Sequence, residues 1–407
     1  MTIKMSHTIE VAMSSSNHAL VYGASGITGW AIVNQILNNF PSADAFSKVT
    51  ALTNRPLPPE VAQWPHSDKL QVVSGLNLLE GDQNALEKTM KERVKDLDNV
   101  THVYFFAYIM DTDPAKEIST NIDLLKRAVE AVEHSSTKLK FVVLPTGTKA
   151  YGVHLIDEFP FKKDLPMKES LPRIPEPHAS QMFYYNQLDL LKQMSEGKSW
   201  SYIDVIPDVI IGFVPNNNIY CLPQALSLYL SLYRHIHGEG AKVVFPGTME
   251  SWKILSNDSA QDVIARFCIT ATLAEDKKSS VAGQSYNVAD SNTPSSWSKK
   301  WPKICSYFNL IGVEPSEANG GSGPDPSGFV SDNREKWLEL EKKHGLQTGR
   351  VGNERSFGGF PYFIMTMFNF DRQIDLGKMH SVYKEEISTE DAWYTAFDRF
   401  RKAKIIP

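Results

Sequence analysis

The segment LVYGASGITGW, Leu20 to Trp30, carries three glycines at three-residue spacing: Gly23, Gly26 and Gly29. It follows a short apolar run, HALVYG, and opens a stretch with helical spacing, GWAIVNQILNN. In that context the first glycine permits a tight turn and the second lets a pyrophosphate approach the backbone. The third lets helix pack on strand, and the first amides of the helix face the phosphates. The loop therefore reads as a dinucleotide site. The run KVTALTNR ends where a dinucleotide's adenosine ribose would lie, with Asn54 and Arg55. A carboxylate there would hold free ribose hydroxyls and repel a 2′-phosphate, whereas an arginine pairs with that phosphate. Arg55 points to NADPH/NADP+ over NADH.

A hydride-transfer site also needs a group that handles charge on the substrate oxygen. Short-chain dehydrogenases place a tyrosine and, four residues later, a lysine on one helix. None of the fifteen tyrosines here has a lysine at that offset. The lysine must come from elsewhere. VVLPTGTKAYG puts Lys149 just past an apolar strand, at the sheet edge where open α/β sheets bind ligands. FYYNQLDLL then offers Tyr184 and Tyr185 on the next helix. Adjacent helical residues point about 100° apart, so only one of the two can face the site. A surface lysine and two core aromatics are the alternative reading of the same residues.

The elements that would position these groups alternate. HALVYG, KVTALTNR, KLQVVSG, NVTHVYFFAY and LKFVVLPTG are apolar strand segments, separated by helical patterns such as ISTNIDLLKRAVEAVEH. Apolar βα units imply a parallel, doubly wound α/β sheet of the Rossmann kind. The segment from Asp157 to Ser180 is rich in proline and charge and reads as a loop that crosses the surface. The chain then divides into a flexible N-terminus, 1–16, an NADP-binding Rossmann domain, 17–215, and a smaller, mainly helical substrate lobe, 216–407, with the chain able to cross back to the sheet.

The whole chain has 407 residues, 42% hydrophobic and 22% charged, with a net charge of -5. No basic run is present to grip a nucleic acid. The N-terminal residues lack a signal-peptide pattern, and no stretch reaches the roughly 18 apolar residues of a membrane span. Cys221, Cys268 and Cys305 show no metal or CxxC spacing and read as free thiols. His154, His178 and His380 are isolated and read as surface or satisfied polar residues rather than ligands, so no metal is expected. A cytoplasmic location follows, with a hydrophobic small molecule as partner and a homodimer as one allowed assembly.

TGTKAYG and MFYYNQLD, together with VYGASGITG, NRPLP, THVYFF, DLPMKESLPRIP, IIGFVP, FPGTMESW and FDRFRKAKIIP, resemble the progesterone 5β-reductase/iridoid synthase-like (PRISE) family. This is an atypical branch of the extended short-chain dehydrogenase/reductases. The resemblance runs along nearly the whole chain. It implies Lys149 and Tyr184 as the catalytic pair, Tyr184 because it directly follows Phe183. It implies cofactor contacts at Ser25, Gly26, Ile27, Arg55 and Ile210. The family's first arginine is Asn54 here, which would weaken NADPH preference. The aspartate expected after the third strand is missing, with Leu76 and Asn77 in its place. A tryptophan beside the substrate becomes Tyr108, and GPF becomes VHL after the lysine motif.

The activity implied is NADPH-dependent reduction of an activated C=C in a hydrophobic enone or enal. Tyr108, Tyr151 and the aromatic stretch Phe360 to Phe370 are candidate lining, suited to a terpenoid, steroid or polyketide. Carbonyl reduction, a cyclase or isomerase, and a non-catalytic NADP(H)-binding regulator are the rival readings on the same scaffold.

Overall fold

A computed structural model describes residues 17–274 and 278–407, so the N-terminal segment 1–16 lies outside the described residues. Strands β1 (His18–Tyr22), β2 (Lys48–Thr53), β3 (Leu70–Ser74), β4 (His102–Phe105), β5 (Phe141–Pro145), β6 (Ser201–Pro207) and β7 (Gln284–Val288) form one sheet. Its order is β7-β6-β5-β4-β1-β2-β3, and every pairing is parallel. The order reverses between β1 and β4, which opens a crevice at the carboxyl ends of those strands. β7 comes from far along the chain, so the sheet is completed only after the chain has left it and returned.

The strands bury both faces because helices cover both. Side chains alternate along each strand. In β1, Ala19 and Val21 enter one core, and Leu20 and Tyr22 enter the other. The second core lies under α2 (Gln83–Arg93), α3 (Pro114–Glu133) and α4 (Phe183–Ser195). The first lies under α1 (Ile27–Leu37), α5 (Leu222–His237) and α6 (Gln261–Leu273), with α7 (Trp297–Tyr307), α8 (Arg334–His344) and α9 (Thr389–Lys402) outside them. All eleven residues of α1 are buried, because α6 packs along it and Arg399 of α9 lies over the Trp30 ring, 4.9 Å from its centre.

Two small parallel ladders link the later segments: Val209–Ile211 with Asp258–Ala260, and Lys242–Val244 with Ile311–Val313. The proline-rich segment 157–180 does cross between regions. Met167 exchanges backbone hydrogen bonds with Gln373 and Asp375, both 2.8 Å, and Glu169 accepts from the Asn287 amide at 2.8 Å. Buried Phe159, Met167 and Ile174 make it part of the core rather than a surface strap.

Candidate active site

The glycine loop is shaped for close approach. Gly23 sits at φ +71°, and a Cβ there would collide with the Phe106 carbonyl; one on Gly29 would collide with the Gly23 carbonyl. β1, the loop and α1 could not pack this way with side chains at those positions. Gly26 is the N-cap of α1, and no acidic residue occupies that helix's first turn. Its free amides therefore face the crevice without a competing carboxylate.

The crevice runs across the carboxyl ends of the strands as two adjoining cavities of about 650 and 670 Å³. Gly26, Phe106, Ala107, Tyr108, Met110 and Asn218 to Tyr220 line both. The half beside β2 and β3 is the more polar of the two. Gly23, Ser25, Asn54, Arg55, Leu76 and Asn77 line it, and so does Arg355, which sequence reasoning missed. Among the described residues no carboxylate pairs with Arg55 or Arg355. Partial burial, then the charge of Arg355, lowers the Arg55 pKa from its ordinary value.

The half beside β5 is apolar and holds Ile27, Gly29, Lys149, Tyr184 and Ile210. The turn that carries Lys149 is fixed on both sides. Thr146 donates to Asp204 of β6 at 2.7 Å, and Thr148 donates to buried Asp208 at 3.2 Å. A Cβ built on Gly147 would stand 3.7 Å from the Tyr184 hydroxyl, so that hydroxyl hangs directly over the lysine turn. Burial raises the Tyr184 pKa, with Glu117, Asp204 and Tyr220 adding to it, so the phenol stays protonated at neutral pH. Tyr185 points the other way. Its hydroxyl donates to Ala150 O at 2.5 Å and accepts from Ile174 N at 3.0 Å.

Four rings wall this half. Tyr108 stacks on Phe183 at 5.4 Å, Tyr220 lies 6.3 Å from Tyr108, and Phe360 meets Tyr220 edge-on at 5.5 Å. Asn121 of α3 holds the Tyr108 loop by accepting from Ile109 N (3.0 Å) and donating to Ile109 O (2.7 Å). Tyr108 also donates to Glu117.

Tyr151, expected beside the substrate, is not part of this lining. It is buried, and its hydroxyl donates to Asn287 of β7 at 2.8 Å. The 3₁₀ turn Thr148–Tyr151 sends Lys149 outward and Tyr151 inward. The Phe360–Phe370 stretch divides: Phe360 and Phe363 reach the crevice, while Ile364, Met365 and Phe368 are core. His178 pairs with Glu158 at 2.9 Å, as a surface histidine does. His154 does not fit that expectation. It lines the apolar half, its Nδ1 is buried with no partner, and burial, then Lys149 and His178, pushes its pKa down to about 4. Among the described residues no cluster of His, Cys, Asp or Glu is arranged to hold a metal, and no helix is long and apolar enough to cross a membrane.

A parallel sheet with a glycine-lined crevice at its switch point is the nicotinamide-dinucleotide-binding architecture of short-chain dehydrogenase-type enzymes. The chain belongs to the PRISE-like Rossmann-fold domain family, whose model matches residues 19–407. It is 33% identical over 403 residues to the short chain dehydrogenase ausT of Aspergillus calidoustus, covering 97% of this chain and 95% of that protein. It is 28% identical over 344 residues to (S)-8-oxocitronellyl enol synthase ISY1 of Nepeta cataria, covering 82% and 80%. In fold it is similar to UDP-glucuronic acid 4-epimerase from Bacillus cereus solved with NAD, with a TM-score of 0.55 and 15% identity over 95% of this chain and 99% of that one.

Proposed function

We propose that this protein is an NADPH-dependent reductase of an activated C=C in a hydrophobic enone or enal. The observation that carries the reading is the Tyr184 hydroxyl standing over the Lys149 turn at the apolar end of the crevice. The relative named an enol synthase is consistent with chemistry that passes through an enolate.

The residues present fit the cofactor. Gly23 and Gly29 leave space that a Cβ would fill, the α1 amides are free for the pyrophosphate, and Arg55 is free for a 2′-phosphate. NADPH, when bound, supplies a hydride for the β-carbon of the alkene. The substrate's π electrons then move onto the carbonyl oxygen. Tyr184 meets that oxygen with an O–H donor that burial keeps protonated. Such a donor is worth on the order of 2.7–4 kcal/mol when charge develops in a water-poor site. Lys149, which lines the same half of the crevice, would add positive charge near the developing oxyanion. The ring wall of Phe183, Tyr108, Tyr220 and Phe360 packs the carbon skeleton and excludes water, which strengthens the hydrogen bond. A proton from solvent, added at the enolate's α-carbon, gives the saturated carbonyl, so that one hydride and one proton together saturate the double bond. Three unpaired, buried thiols support a cytoplasmic location.

The test is loss of NADPH absorbance with cyclohexenone, an unsaturated aldehyde and progesterone, with each product identified. A saturated carbonyl product is expected. An alcohol product would replace the reading with carbonyl reduction. A rearranged product without NADPH consumption would replace it with isomerisation.

A further inference from the structure

We infer that Arg355 is the second cation of the 2′-phosphate site, supplied from the C-terminal part of the chain to stand with Arg55. This rests on the NADPH reading and extends it to a residue outside the glycine-loop half of the molecule.

Arg55 and Arg355 line the same polar cavity, close enough for the charge of one to act on the other. Two guanidinium groups facing one cavity, with no carboxylate paired to either among the described residues, repel each other, and a dianion between them reverses the sign of that interaction. A phosphomonoester has the charge and the acceptor oxygens to bridge both groups. NADH offers only neutral hydroxyls at the same place.

The position of Arg355 is built rather than incidental. Its 3₁₀ turn, Glu354–Ser356, is capped by Asn353, whose Oδ1 accepts from Arg355 N at 2.9 Å. The Ser356 carbonyl accepts from buried Gln224 at 2.9 Å. Upstream, buried Arg350 donates to Gln224 at 3.2 Å and to the Pro215 carbonyl at 2.5 Å. Asn217 donates to Gly349 O at 3.2 Å. Residues 349–356 are thus fastened to the 215–224 segment, which itself lines the crevice. The fastening uses backbone and neighbouring side chains and leaves the Arg355 guanidinium without an ion-pair partner among the described residues.

The experiment is titration calorimetry of the intact protein with NADPH, NADH, 2′,5′-ADP and ADP, for wild type, Arg355→Gln, Arg355→Lys and Arg55→Gln. Charge-assisted hydrogen bonds of this kind correspond to roughly 10-fold to 100-fold in affinity. Arg355→Gln is expected to weaken NADPH and 2′,5′-ADP by about that factor. NADH and ADP should stay within about twofold. Arg355→Lys should recover part of the loss, because it restores charge without the planar fork. If Arg355→Gln binds NADPH and 2′,5′-ADP like wild type while Arg55→Gln does not, the role of Arg355 is overturned and the NADPH reading stands. If wild type binds NADPH no better than NADH, the NADPH reading falls and this assignment falls with it. If Arg355→Gln weakens all four ligands equally, the residue shapes the crevice and does not read the phosphate, which also overturns the assignment.

Discussion

The crevice half beside β2 and β3 sets the glycine loop, Asn54, Asn77 and two arginines among apolar side chains; the half beside β5 has aromatic rings, Lys149 and the Tyr184 hydroxyl. The first half draws on the ends of β1, β2 and β3, each a local βα turn, and is closed by the 106–110 loop, the 217–220 segment and Arg355. The second half shares Gly26 at the start of α1, the 106–110 loop and the 218–220 segment with the first and adds the β5 turn, α4, Ile210 and the 359–363 segment. A half built by local turns suits a ligand common to many enzymes. A half assembled from distant segments can change its shape without disturbing the turns. On the proposed function, cofactor binding would lean on the βα turns and substrate choice on the added segments, with Tyr108 and Tyr220 shared by both.

The sharpest way to test that separation is a tyrosine pair. Tyr184→Phe is expected to lower kcat by roughly 100-fold to 1000-fold and leave the Kd for NADPH within about twofold, because it removes a donor used only as charge develops. Tyr185→Phe should keep most of the turnover. It should instead cost about 1–3 kcal/mol of stability in chemical denaturation, since the buried Ile174 amide loses its acceptor. A large kcat loss in Tyr185→Phe with normal turnover in Tyr184→Phe would exchange their roles.

A pH experiment probes the scaffold beneath the first half. His18 of β1 is buried between Thr50 Oγ1 at 2.9 Å and the Asp96 carbonyl at 3.2 Å. Burial, with help from Lys48, pushes its pKa down to about 4 from an ordinary 6.5. The unfolded chain therefore takes up a proton below pH 6.5 that the folded chain refuses until about 4. Stability from this group is fully present above the unfolded pKa and drains away as pH falls through that window. The loss amounts to about 3 kcal/mol once pH is below the folded value. His18→Gln is expected to show a shallower fall in denaturation free energy between neutral pH and about pH 4. Parallel curves for variant and wild type would remove His18 from the account.

Two smaller effects should separate the halves by ligand. Arg55→Gln should weaken NADPH binding by about 10-fold and leave the KM for a small enone nearly unchanged. Phe360→Ala should do the opposite. It opens the ring wall and raises the KM for a bulky enone by roughly 3-fold to 10-fold, with NADPH affinity intact. An effect of Phe360→Ala on NADPH affinity as large as that of Arg55→Gln would show that the halves are not separable.

What was legible in the sequence follows the same division. The glycine loop, the apolar strands, Arg55 and the Lys149 turn are local features, and the structure places each beside the crevice. The two adjacent tyrosines could be narrowed to one facing residue by helix geometry, but not chosen between without the family resemblance. Tyr151 was misplaced because nothing in KAYG shows that a tight 3₁₀ turn aims its ring at Asn287. Arg355 carries no signal in the sequence: it lies far from Arg55 in the chain, and only folding brings both to one cavity. His154 looks isolated in sequence; only packing puts its unpartnered Nδ1 in the wall of the apolar half.

Period-two burial, turn chemistry and the steric needs of a phosphate cradle act over a few residues, so the sequence by itself determined the parallel sheet, the dinucleotide loop and the lysine turn. The ring wall, the second arginine and the inward turn of Tyr151 depend on which segments the two cores press together across hundreds of residues. Those contacts are set by packing of buried surfaces rather than by spacing, and only the tertiary structure decided them.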